Sequence, residues 1–226
     1  MLVKTRMTSF PITIGKFESI DTAAKIMHDN NIRHLPVVEN HELVGLLSYT
    51  DIMRAMPSKI STLEQHEATY LFSTIKVKDA LPENQKVITI QEDACIEEAA
   101  LMMRAYKIGA LPVLNAEGKL VGICTENNIF DAFIDLMGVR SSGARITVEI
   151  GDQPGQIAEI ADVIRSFAGN ITKIAMFPVE GEGPHRYTVM VRMKAPDIKP
   201  IVEALKVHGF NVSDTADYSG VYSHLK

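Results

Sequence analysis

One pattern occurs twice in this chain of 226 residues, and that repetition restricts the fold more than any other feature. His34-Leu35-Pro36-Val37-Val38 returns as Ala110-Leu111-Pro112-Val113-Leu114, 76 positions on (34 to 110). Val44-Gly45-Leu46 returns as Val121-Gly122-Ile123, 77 positions on (45 to 122), and one residue inserted near Gly118, in a turn, explains the difference. Upstream, Ile12-Thr13-Ile14 matches Ile88-Thr89-Ile90, and the stripe Ile20, Ala23, Ala24, Met27 matches Ile96, Ala99, Ala100, Met103 at i, i+3, i+4, i+7. Self-similarity in this order means a tandem structural unit whose members pack on one another, since ~60 residues alone give a thin core.

Each unit reads as strand, helix, strand, turn, strand, helix, with Ser19 as the cap of the first helix. The short apolar strands are Leu35–Val38 and Leu43–Leu47, then Leu111–Leu114 and Leu120–Cys124. Closing helices are expected at Asp51–Met56 and Asn128–Met137, with Gly138 at the left-handed position after the second. The first repeat is taken as 2–60 and the second as 77–138. Between them, a linker helix over 61–76 opens on the capping box Ser61-x-x-Glu64.

After Ser141-Ser142-Gly143 the rhythm changes. Arg145–Ile150 alternates as a half-buried strand, followed by a helix bearing Ile157, Ile160, Ala161 and Ile164. Strands at Ile171–Val179 and Arg186–Met193, a helix with Ile198, Ile201, Val202 and Leu205, and a strand at Phe210–Ser213 complete a β-α-β-β-α-β order over 145–213. Residues 214–226 are polar and read as a loose tail. The whole is an α/β (α+β) chain of two kinds of domain.

The sharpest chemical constellation is Gly45-Leu-Leu-Ser48-Tyr-Thr50-Asp51, echoed by Gly122-Ile-Cys-Thr125-Glu-Asn127-Asn128. A hydroxyl ends a strand, and three residues later an acid or amide opens a helix. Helix N-termini attract phosphate, hydroxyls add donors, and an ionised carboxylate accepts from vicinal hydroxyls such as those of ribose. Arg33 and His34 supply cationic or donor partners. Plain helix capping is the commoner reason for the same residues, and spacing leaves both readings open.

At these residues the first half resembles the cystathionine β-synthase (CBS) domain pair, or Bateman module, over Leu2–Gly138. The resemblance implies two repeats packed as a pseudo-symmetric pair, with two clefts for AMP, ADP, ATP or S-adenosylmethionine as regulatory ligands and no required cofactor. It implies ribose at Asp51, phosphate at Ser48, Thr50, Arg33 and His34, and adenine against Ile12-Thr13 and Ile88-Thr89. Thr125, Asn127 and Asn128 are the counterparts in the second copy, which has Gly109-Ala110 in place of Arg-His and suits a charged nucleotide less. The expected nucleotide site is therefore the cleft holding Asp51 together with Arg33 and His34. Asp152-Gln153-Pro154-Gly155, at a strand-to-helix junction, is an ordinary turn by composition. With the β-α-β-β-α-β order it resembles the ACT domain, a ferredoxin-like fold, which implies an amino-acid site at Asp152, Pro154 and Gly155. A CBS pair followed by an ACT domain resembles the bacterial acetoin-utilisation (AcuB-type) proteins.

Several classes drop out. Residues 1–138 carry 13 Lys/Arg against 18 Asp/Glu and residues 139–226 carry 10 against 10, so neither half has the basic excess of a nucleic-acid binder. No stretch free of Asp, Glu, Lys and Arg exceeds nine residues, so no membrane span or secretory leader is read. Cys95 and Cys124 make no paired motif, as expected of reduced thiols in a cytoplasmic protein. No metal-ligand spacing, P-loop or nucleophile elbow is found, and Gly181-Glu182-Gly183 lies in a hairpin loop. The expected function is a non-enzymatic sensor that regulates a partner protein, a homodimer through helices 20–30 and 96–106. A ligand-free scaffold is its rival, and an enzyme of acetoin breakdown a weaker one.

Overall fold

The local code of the first helix is met atom for atom. The Ser19 hydroxyl accepts the Thr22 N–H at 3.1 Å, starting α1 (Ile20–Asp29), and Ile20, Ala23 and Met27 go into the core. In this computed structural model, which describes residues 1–55, 72–82, 85–179 and 186–218, the chain divides into two compact units, Met1–Ala132 and Phe133–Lys226. Residues 61–71 of the expected linker helix lie outside the described residues.

In the first repeat, β2 (Ile14–Gly15) runs parallel to β3 (His34–Glu39), which pairs antiparallel with β4 (Glu42–Ser48); α2 (Tyr49–Ala55) follows. The second repeat has the same parts: β5 (Ile90–Gln91), α4 (Ile96–Tyr106), β6 (Ala110–Leu114), β7 (Leu120–Thr125) and α5 (Glu126–Met137). Between them, α3 (Val77–Ala80) is a single turn. Ile12-Thr13 and Ile88-Thr89, read as part of the early strands, lie just outside them. The repeat cores are separate: Ile14, Ile20, Leu35, Leu47 and Ile52 in one, Ile90, Ile96, Leu111, Val113 and Cys124 in the other.

The entering segments are exchanged between these cores. Val3, fully buried, belongs to the core of the second repeat, and its N–H donates to the Ala94 carbonyl at 2.9 Å. β1 (Thr8–Ser9) then adds antiparallel to β7, Thr8 opposite Ile123. Val77, equally buried, belongs to the core of the first repeat, and its N–H donates to the Glu18 carbonyl at 2.9 Å. Burying each valine is worth about 1.5–3 kcal/mol. The repeated glycine of the Val-Gly strand now has its reason. A Cβ on Gly122 would lie 2.2 Å from Met7 Sδ, and one on Gly45 2.7 Å from Leu81 Cδ1, so each exchanged segment rests a side chain directly on a glycine and that side chain would have to shift for a larger residue. Gln85 takes the place of a strand residue, its amide bonding both the N–H and the carbonyl of Leu46 at 3.0 Å.

Large exposed apolar side chains of the first unit include Leu101 and Tyr106 on α4, Tyr49 and Met53 on α2, and Phe130 on α5. The exposed apolar face expected on helix 20–30 is absent, because the apolar stripe of α1 is used up in its own core.

In the second unit, β8 (Gly143–Gly151), α6 (Gln156–Ser166), β9 (Asn170–Pro178), β10 (Arg186–Lys194), α7 (Lys199–Val207) and β11 (Asn211–Tyr218) follow in order. They form one antiparallel sheet ordered β11-β8-β10-β9. Alternate residues of β8, from Ala144 to Ile150, are buried against Ile160, Ile164, Ile201 and Leu205 of the two helices. Residues 214–218, expected in the tail, continue β11 opposite Thr147 to Gly143 beyond a bulge at Val212/Asp214. A ladder is made of backbone groups, so the polar side chains of this stretch do not prevent it.

Candidate functional site

The first hydroxyl-to-helix turn is a closed capping box, and the second repeats its acceptor half. The Asp51 carboxylate accepts from the Ser48 N–H at 2.9 Å and from the Ser48 hydroxyl at 2.5 Å, while the Asp51 N–H donates back to Ser48 Oγ at 3.2 Å. Asn128 repeats the motif, its Oδ1 accepting from the Thr125 N–H at 2.8 Å and the Thr125 hydroxyl at 2.9 Å. The bonds satisfy N–H groups that the start of a helix leaves without partners. They also pin Ser48 and Thr125 at the strand ends.

A cavity of about 1050 Å³ opens in the first unit, ample for an ordinary small-molecule ligand. It gathers Arg33, His34, Ser48 and Thr50 of the first repeat with Thr125, Asn127 and Asn128 of the second, and Ile12 of the entering segment. Asp51, Thr13, Ile88 and Thr89 do not line it, and Asp51 is 8% exposed. The Arg33-His34 pair thus stands in one cavity with the turn of Asn128 rather than with the Asp51 carboxylate. Asp152, Pro154 and Gly155 belong to the second unit, all exposed, with Gly155 in the left-handed region (φ 93°) at the start of α6.

Three charged residues of the cavity escaped the sequence reading. Arg104, Lys107 and Glu126 line it, Arg104 on the last turn of α4 and Lys107 as its cap. Their signal was faint: two cations three apart at a helix C-terminus, where cations are common anyway. His34 and Glu126 both flank Gly109, each with an atom 3.4 Å from where a Cβ on that glycine would stand. Burial, and next the Arg33 guanidinium, lower the His34 pKa, against the opposing pull of Glu126 and Asp51. The imidazole is therefore neutral near pH 7, a hydrogen-bonding group rather than a fixed charge. Ile108, Ile123, Met103 and Ile129 form an apolar part of the wall, and Phe10, 93% exposed, lies along it.

Elsewhere, Cys124 is buried, which pushes its thiol up to about 11, and Cys95 is exposed. Among the described residues no group of three His, Cys, Asp or Glu could hold a metal ion, and no helix is long and apolar enough to cross a membrane.

Residues 3–58 and 77–135 match the family model of the CBS domain. A CBS domain-containing protein of Dictyostelium discoideum is 30% identical over 138 residues, which are 61% of this chain and 94% of that one. The L-aspartate semialdehyde sulfurtransferase of Methanocaldococcus jannaschii is 33% identical over 133 residues, 58% of this chain but only 23% of the relative. Among solved structures, a candidate acetoin utilization protein (AcuB) from Vibrio cholerae is 28% identical with a TM-score of 0.50, covering 62% of this chain and 94% of that one.

Proposed function

Since the chain belongs to the CBS-domain family, we propose that its first unit is a non-enzymatic regulatory sensor taking one adenosine-type ligand in the cavity between its repeats. The observation that carries this reading is the convergence of Arg33, His34, Ser48, Thr50, Thr125, Asn127 and Asn128 on one cavity from distant parts of the chain. Helix capping alone gives no reason for the two repeats to aim these groups at a common space. The apolar wall of Ile12, Met103, Ile108 and Ile123 suits a purine, and the hydroxyl and cationic groups suit ribose and phosphate. In this reading Asp51 is a positioning residue that holds Ser48, and Asn128 holds Thr125. Ligand binding favours one arrangement of the two repeats and so shifts the population that a partner protein meets.

For the second unit we retain an ACT-type, ferredoxin-like domain with an amino-acid site at Asp152, Pro154 and Gly155. Its β-α-β-β-α-β order and the uncapped start of α6 support it. A homodimer through Leu101, Tyr106 and Phe130 of the first unit, and a place in acetoin utilisation, belong to the same reading.

The experiment is a thermal-shift panel with an external dye, since the chain has no Trp. At a hundredfold excess over Kd, a ligand stabilises the native state by about 2.7 kcal/mol. An unmoved melting curve with AMP, ADP, ATP and S-adenosylmethionine at millimolar concentration favours the ligand-free scaffold instead. That rival draws on one observation, the full use of Ser48 and Asp51 in a capping box.

A further inference from the structure

We propose that the cavity selects a nucleoside di- or triphosphate and rejects sulfonium and uncharged adenosine ligands, with Arg104 and Lys107 setting that choice. The inference rests on the adenosine-ligand reading above and deepens it.

Arg33, Arg104 and Lys107 line the cavity against a single carboxylate, Glu126, leaving two positive charges in excess. Among the described residues none of the three cations has an ion pair or a side-chain hydrogen bond, whereas Lys4, Lys16, Lys25, Lys119, Arg165 and Lys206 all have acidic partners within 3.0 Å. Arg104 and Lys107 stand three apart, where like charges repel, and the residues one turn before them are Ala100 and Met103. An anion in the cavity relieves that repulsion.

The tandem symmetry supplies an internal comparison. Lys107 and Asn31 are matching positions of the repeat, 76 residues apart, and both are left-handed, at φ 55° and 52°. Asparagine is an ordinary residue for that conformation and lysine is not. The matching position to Arg104 is His28. The backbone is therefore repeated while the charge is not, and strain is accepted at Lys107 where the charge faces the cavity. Arg33 comes from one repeat and Arg104 and Lys107 from the other, so an extended polyanion is held by both. S-adenosylmethionine is a net cation and 5′-methylthioadenosine is uncharged. The single carboxylate of the first is outweighed by its sulfonium and ammonium groups, and the second has no anion at all, so neither balances the two excess cations.

The test compares the full-length protein with the double variant Arg104→Gln/Lys107→Asn, which restores the residue that the first repeat carries at the left-handed position. Calorimetric titration uses ATP, ADP, S-adenosylmethionine, 5′-methylthioadenosine and inorganic tripolyphosphate. The wild type should bind ATP and ADP at least about tenfold more tightly than either adenosine compound without phosphate. The double variant should lose about a hundredfold for ATP, roughly tenfold per charge-assisted contact. S-adenosylmethionine or 5′-methylthioadenosine binding as tightly as ATP, or ATP affinity within threefold on the variant, overturns this inference and leaves the adenosine reading standing. Binding of tripolyphosphate with no binding of any adenosine compound supports the anion subsite and overturns the adenosine reading. No binding by any of the five overturns both.

Discussion

Asp51 should matter to stability before any ligand is added. Asp51→Ala removes the acceptor of the partly buried Ser48 N–H (2.9 Å) and of the Ser48 hydroxyl (2.5 Å). An orphaned N–H of this kind costs about 1–3 kcal/mol, and losing a helix cap typically costs about 1 kcal/mol. The two overlap, so the expected loss is about 2–3 kcal/mol. The contact with Arg54 adds little, since it spans 3.8 Å and the arginine side chain is 76% exposed. The second repeat provides the control, because Asn128 performs the same two acceptances with an amide oxygen at 2.8 and 2.9 Å. Asp51→Asn should therefore cost less than about 1 kcal/mol. Urea unfolding followed by circular dichroism reads both as shifts of midpoint at constant slope. In a thermal melt each kcal/mol appears as roughly 3–5 °C for a unit of this size. Equal losses for Ala and Asn, or an unchanged midpoint for Ala, would refute the capping argument.

Three further outcomes follow from the same geometry. Gly122→Ala sets a Cβ 2.2 Å from Met7 Sδ and should cost about 1–3 kcal/mol by displacing the Met7 side chain; adding Met7→Ala should recover part of that, and strictly additive losses in a double-mutant cycle would contradict the exchanged packing. Because the His34 pKa is lowered on folding, the unfolded chain takes its proton first, so stability should fall as pH drops below the usual 6.5; His34→Gln should flatten that slope between about pH 7.5 and 5.5, and identical slopes would count against it. Iodoacetamide near neutral pH should add one adduct, at the exposed Cys95, while Cys124 stays protonated and covered; mass spectrometry finding Cys124 labelled in the native protein would show the core to be open.

What the chain determined by itself is what contiguous residues can encode. The period of Ile20, Ala23 and Met27, the cap at Ser19, the strand-turn-strand of Leu35 to Leu47 and its copy at Leu111 to Cys124 are all local patterns, and the structure carries them. So is the three-residue spacing of Ser48 to Asp51 and Thr125 to Asn128, which creates a capping box wherever a helix follows a strand. Which partners these pieces meet was decided only by packing. Self-similarity placed Val3 with the repeat it precedes, yet its core is the other one, where its N–H bonds the Ala94 carbonyl and its side chain is fully buried. The same exchange explains Gly45 and Gly122, whose neighbours Leu81 and Met7 are distant or unmatched in the repeat pattern. In the cavity, Arg33 and His34 of one repeat meet Asn128, Arg104 and Lys107 of the other. Periodicity fixes the face on which a residue stands, but which faces share a common space is a property of two packed bodies.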